Sequence, residues 1–230
     1  MKTHSTQIVF VSPDGTETDG PLLLQSEKKI RARRLNHSEW DQACAVRRFC
    51  RYLQNRDDDG LRATMSALDR LDCWPLAVDQ LLIGRSPNVA KGCALLSFWN
   101  NYGLYSIPRG LKENLPHLVD AFKYLLPPYK GESIILYRGE LASRQRAGVY
   151  GISWTPKIET AKVFADRRWP DEGAGVVLGI EATPTIIVAA VKDYSQHTLT
   201  LGEDEYLVDP QLIEGKVSVV DDRLLSGGDE

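Results

Sequence analysis

The feature that most constrains this chain is a change of hydrophobic rhythm near residue 130. Before it, apolar residues recur at intervals of three and four, the spacing of one helix face. Trp40, Cys44, Ala45, Arg48 and Tyr52 follow that spacing, with Ser38 as an N-cap and Glu39 and Asp41 in the first turn. Stretches 61–71, 76–83 and 89–99 repeat the pattern, and 115–126 closes it at Pro127-Pro128. After it come short β-rich runs at 133–137, 176–180, 186–191, 205–208 and 217–220, separated by Gly, Pro and Asp clusters. Thr160, Ala161, Val163, Phe164 and Ala165 predict one helix among them, beginning after Pro156. The succession predicts an α+β chain. Residues 1–24 are expected as a loose extension, 25–130 as a helical region, 131–225 as a β-rich core and 226–230 as a loose end.

Composition narrows the class further. At 230 residues, with 43% hydrophobic and 26% charged residues, the chain is long enough to bury a core without staples. The longest apolar run, 186–191, is six residues, far short of the roughly twenty a spanning helix needs. Ile8-Val9-Phe10-Val11 is too short for a signal-peptide apolar region. A cytoplasmic protein with no membrane partner is therefore expected, unless a secretion or injection system delivers it to another cell. Cys44, Cys50, Cys73 and Cys93 lack CxxC spacing and are expected as reduced thiols. His4, His37, His117 and His197 form no i, i+4 pair, which argues against a zinc site or a His-based triad. Net charge is −3, split as +4 over residues 1–130 (18 basic, 14 acidic) and −7 over 131–230 (10 basic, 17 acidic). Five cations fall within Lys28-Lys29-Ile30-Arg31-Ala32-Arg33-Arg34. That run is expected as a solvated helix face, with steering of an acidic partner or nucleic acid as the alternative.

Three segments of the second half carry chemistry. In Leu136-Tyr137-Arg138-Gly139-Glu140, a strand-end arginine offers a planar fork suited to phosphate, and glycine admits a flat ligand to the backbone. In Gly151-Ile152-Ser153-Trp154-Thr155-Pro156, strand alternation sets Ser153 and Thr155 on one face and turns Trp154 toward the core. In Gly202-Glu203-Asp204-Glu205-Tyr206-Leu207-Val208, alternation sets Glu203 and Glu205 on one face, about 6.5–7 Å apart, with Asp204 opposite. Like charges that close repel, a cost tolerated chiefly at functional sites.

In this order, the three segments resemble the R-S-E class of mono-ADP-ribosyltransferases, over about residues 131–221. That group has a strand-end Arg, a Ser-Thr-Ser strand, then Glu-x-Glu before an apolar strand. Arg138, Ser153-Trp154-Thr155 and Glu203-Asp204-Glu205 stand at those places, with Trp154 a departure at the central position. Only fifteen residues separate Arg138 from Ser153, room for a turn or a short helix.

The resemblance implies a split, strongly twisted β-sandwich of six or seven strands, preceded by the helical region. It implies NAD as a substrate and no metal. Glu205 would stabilise the oxocarbenium-like ribosyl cation and bind a ribose hydroxyl. Arg138 would hold the diphosphate, Ser153 would orient Glu205 and the nicotinamide ribose with Thr155 on the same face, and Gly139 would offer its backbone to the carboxamide. Arg167, Arg168 and Trp169 would lie in a loop over the phosphates, with a plain surface loop as the alternative. Glu203 tilts the acceptor toward a protein arginine, whose guanidinium must lose a proton to attack, and Tyr194 would help meet that target. An NAD glycohydrolase, a transferase acting on RNA or DNA, and a non-catalytic binding module of the same fold remain open.

Overall fold

The long helices form where the three-four spacing sets them, and two of them start at side-chain caps. The structure, a computed structural model, describes residues 7–11, 30–34, 37–83, 88–111, 114–166, 174–194 and 204–222. It divides into two compact units, Met1–Gln80 and Leu81–Glu230.

In the first unit, β1 (Gln7–Val11) and β2 (Ile30–Arg34) pair in parallel. Neither expectation for these residues holds. Residues 7–11 are a strand rather than loose chain, because Ile-Val-Phe-Val is a run of strong β-formers. Residues 30–34 are a strand rather than a helix face, because Ile30-Arg31-Ala32-Arg33 alternates with period two. Helices α1 (His37–Asn55), α2 (Asp58–Arg70) and α3 (Trp74–Leu82) follow. Asp57 starts α2 by accepting from the Gly60 N–H at 2.8 Å. Phe49, Leu53, Leu61, Leu68 and Trp74 are buried, with Phe49 and Trp74 edge to face at 5.6 Å. Trp74 Nε1 donates to Asp69 at 2.7 Å, and Gln42 donates to the Leu71 carbonyl at 2.8 Å. Burial, aided by the neighbouring Asp72 charge, pushes the Cys73 thiol up to about 11. None of the four cysteines is joined in a disulfide.

The second unit opens with α4 (Val89–Phe98), capped by Asn88, whose side chain accepts from the Lys91 N–H at 3.0 Å. Its last turn widens into a π-helical segment, Trp99–Gly103, before α5 (Leu104–Gly110) and α6 (Leu115–Leu125). Sequence character changes near residue 130, but packing divides earlier, between Gln80 and Leu81. The reason lies in α6. It buries Leu118, Val119, Phe122 and Leu125, and its Lys123 pairs with Asp209, a carboxylate buried on the strand side.

The strands follow in two antiparallel sheets of three. The elements in chain order are β3 (Ile134–Leu141), α7 (Ala142–Arg146), β4 (Ser153–Trp154), α8 (Ile158–Asp166), β5 (Gly175–Ala182), β6 (Ile187–Ala190), β7 (Tyr206–Val208) and β8 (Ser218–Asp222). One sheet runs β3-β5-β8 and the other β4-β7-β6. The short helix α7 fills the interval between Arg138 and Ser153, as its length allows. Leu136, Leu178 and Ile180 of the first sheet share a core with Trp154, Ile187, Tyr206 and Val208 of the second. On the other face of the first sheet, α8 covers Val177 with Ala161 and Ala165. Strand β5 is therefore covered on both sides, which explains its unbroken apolar run. The sheets meet where Tyr137 and Thr155 exchange backbone hydrogen bonds of 2.7 and 2.9 Å.

Arg138 and Gly139 do not end their strand. They are its fifth and sixth residues of eight, because pairing with β5 continues through Gly139↔Val177 to Leu141↔Gly175. The fold is α+β, and among the described residues no helix is long and apolar enough to cross a membrane.

Candidate functional site

The site is built around the start of β4. Arg138 and Glu140, two apart on β3, project from one face of that strand. Arg138 Nε donates to Glu140 Oε2 at 2.9 Å, and its Nη1 donates to the Ser153 carbonyl at 2.7 Å. Gly151 makes room, since a Cβ there would run into the Arg138 guanidinium. Glu140 is buried, its side chain 6% exposed, and receives a second guanidinium, Arg144 Nε at 3.2 Å from α7. The Leu141 and Gly151 N–H groups complete its partners at 3.1 and 3.3 Å. Burial by itself would raise this carboxyl. The charges of Arg138 and then Arg144, with the hydrogen bonds from Arg138 and Leu141, outweigh burial and hold it below the usual carboxylate range. Two guanidiniums, from β3 and α7, share this one carboxylate.

Ser153 faces Leu207 across the β4–β7 pair, and Glu205 stands two residues before Leu207. The Glu205 carbonyl accepts from the Val191 N–H at 2.9 Å, which anchors the backbone just ahead of β7. Side chains from the two stretches converge on a third. The buried indole of Trp99, at the start of the π-helical segment, donates through Nε1 to Ser153 Oγ at 3.3 Å and to Glu205 Oε1 at 3.3 Å. Arg138, Ser153 and Glu205 therefore gather around one residue, Ser153: the guanidinium on its carbonyl, the carboxylate beside its hydroxyl.

The other sequence-derived residues fall as follows. The acidic triplet is not a continuous strand, because β7 begins at Tyr206 and Asp204 is left-handed, with φ +45°. Face alternation therefore does not apply across it, and Asp204 pairs instead with Lys157 at 2.9 Å. Glu203 lies outside the described residues, as do Arg167, Arg168 and Trp169. Thr155 does not continue the pairing of Ser153. At Thr155 the chain changes partner from β7 to β3, and its hydroxyl accepts from the Lys157 N–H at 3.2 Å at the entry to α8. Trp154 is core, as expected, with Nε1 donating to the Gly151 carbonyl at 3.0 Å. Gly139 is required by packing, since a Cβ would meet the backbone of α8 at Ala161 and Ala165. Tyr194 closes the 3₁₀ turn Val191–Asp193 after β6, half-buried. Its phenol is raised by burial and by the nearby Asp193 and Cys93.

Sequence reasoning missed Trp99, Glu140 and Arg144. Glu140 carried a usable signal, since it is two residues from Arg138 and so on its face of the strand. Trp99 carried none, because an aromatic residue in a helical stripe reads as core.

Chemically, the site offers an oriented carboxylate beside a hydroxyl, with the Arg138 guanidinium held on the adjacent strand β3. Such a set can hold an anion at one end and favour a developing cation at the other. No protein-family model, no curated protein and no solved structure matches this chain.

Proposed function

We propose that this chain is a mono-ADP-ribosyltransferase that cleaves NAD and transfers ADP-ribose to a macromolecular target, with a protein arginine as the favoured acceptor. The reading rests on the Arg138, Ser153 and Glu205 motifs, in that order. One observation carries it: the hydroxyl and the carboxylate share the Trp99 N–H, and the Arg138 guanidinium is bonded to the same serine. The two antiparallel sheets around one core, with helices alongside, support a split-sandwich fold of the same family.

In this reading NAD is the substrate. The bond between nicotinamide and the ribose C1′ breaks, and its electron pair leaves with neutral nicotinamide, so no general acid is needed. The positive charge left on the ribosyl group is met by Glu205, held in place by Trp99 and flanked by Ser153. Arg138, with Arg144 beside it on Glu140, provides the positive charge for the diphosphate. Gly139 offers its backbone to the carboxamide. The acceptor attacks C1′ and loses its proton to Glu203.

The test is nicotinamide release by the purified chain, together with labelled NAD in a cell lysate digested separately by protease and by nuclease. The expected result is nicotinamide release and label that survives nuclease but not protease. Glu205→Gln is expected to lower release on the order of 10²–10⁴-fold. Label lost to nuclease would move the acceptor to nucleic acid, and release without label would make the chain a glycohydrolase. Neither release nor label would overturn the reading.

A further inference from the structure

We infer that Trp99 is a positioning residue of this site: its indole N–H aligns Glu205 and Ser153 for the reaction. The inference rests on the transferase reading above and extends it to a residue outside the three motifs. Trp99 lies 54 positions from Ser153 and 106 from Glu205, yet one nitrogen serves both side chains. Ser153 and Glu205 come from neighbouring stretches but are not directly opposite, since Ser153 faces Leu207. A donor from a third element fixes their relative placement where the strand register alone does not.

The chemistry of the donor matters. An indole N–H gives a proton to a hydrogen bond and accepts none. Glu205 and Ser153 must therefore both accept from it. A carboxylate oxygen accepts from such a donor, and the carboxylate is the group that stabilises a ribosyl cation. It also leaves the serine's own proton to donate elsewhere. The ring is 3% exposed, so the donor is shielded from competing water. The backbone supports the placement: α4 ends at Phe98 and the chain widens into the π-helical turn at Trp99 itself. Single π turns of this kind occur often at functional sites. A tryptophan serving only as core would not need its nitrogen aimed at a hydroxyl and a carboxylate of the same site.

The decisive variant is Trp99→Phe, which keeps a buried aromatic ring and removes the pyrrole edge that carries the donor. The expected result is a fall in kcat for nicotinamide release of about tenfold or more, with KM within about threefold, because the lost contact acts on the reacting end and not on the diphosphate. A second measurement needs no activity. In ¹⁵N-labelled protein, Glu205→Gln is expected to shift the Trp99 indole resonance, because the substitution changes the acceptor at Oε1. A Trp99→Phe enzyme with the parent kcat overturns the inference, as does an indole resonance indifferent to Glu205→Gln. If the parent protein releases no nicotinamide, the transferase reading fails on its own, and the resonance still decides whether Trp99 and Glu205 are linked.

Discussion

Nη1 of Arg138 donates to the backbone carbonyl of Ser153 at 2.7 Å, and so ties β3 of one sheet to β4 of the other. The same guanidinium reaches Glu140 through Nε at 2.9 Å, so two of its donors are committed in fixed directions. A lysine has the charge but not the fork. Arg138→Lys is expected to keep one of the two bonds and to cost about 1.5–3 kcal/mol for the charged hydrogen bond lost. Thermal melts would read that loss. In the proposed reaction, nicotinamide release should fall further than stability does, because Ser153 shifts with its carbonyl. Equal stability and equal release in Arg138→Lys would remove Arg138 from both roles.

Glu140 makes a pH prediction with a definite sign. Its folded-state carboxyl is held below the ordinary value of 4.5, because the two guanidiniums outweigh burial. Its contribution to stability is therefore complete above that ordinary value and is lost as pH falls through the lowered folded value. At neutral pH, Glu140→Gln is expected to cost about 3 kcal/mol, because it leaves two partly buried guanidiniums sharing a neutral amide. Melts from pH 7 to pH 3 should show the parent and the variant converging below about pH 4.5. A constant gap across that range would place the effect of Glu140 elsewhere than in its charge.

What could be read from the sequence follows from how local each signal is. The helices at α2, α4 and α6 and the strands at β5, β6 and β7 were legible, because apolar spacing and punctuating Pro, Gly and Asp act within a few residues. Ser153 and Glu205 were legible as a pair only through motif order, and Trp99 is what joins them in space. That joining contact spans more than half of the second unit, and no local pattern encodes it. The alternation argument failed at Asp204, where a left-handed residue interrupts it. That failure is a change of backbone course, and a period of two assumes none.

Gly139 tests packing apart from chemistry. The backbone of α8 lies against its Cα, at the Ala161 carbonyl and the Ala165 N–H, so a methyl group has no flexible neighbour to displace. Gly139→Ala is expected to destabilise the fold by about 1–3 kcal/mol through overpacking, as measured by chemical denaturation. Gly148, where a Cβ meets nothing, carries the opposite burden: its φ of +68° disfavours a side chain despite open space. Gly148→Ala should cost about 1–2 kcal/mol from the left-handed backbone alone. Its amide spectrum should change only near the turn, whereas Gly139→Ala should shift resonances along α8. An unmoved α8 in Gly139→Ala would mean that the helix is not seated as tightly as the structure has it.

In the proposed reaction the two glutamates flanking Asp204 divide cleavage from transfer. Glu205 is fixed at both ends, by the Val191 N–H on its carbonyl and by Trp99 on its carboxylate. Asp204, immediately before Glu205, is left-handed and pairs with Lys157. In the proposed reaction Glu205 acts on the bound NAD, and Glu203 on the acceptor. Glu205→Gln is expected to abolish nicotinamide release and transfer together. Glu203→Gln is expected to leave release within a few-fold of the parent while labelling of arginine-containing protein falls on the order of 10²-fold or more, as for removal of a general base. Measuring nicotinamide and protein-bound label in the same reactions gives the ratio directly. If Glu203→Gln lowers both in equal proportion, the division of labour is wrong and the two carboxylates act as one unit.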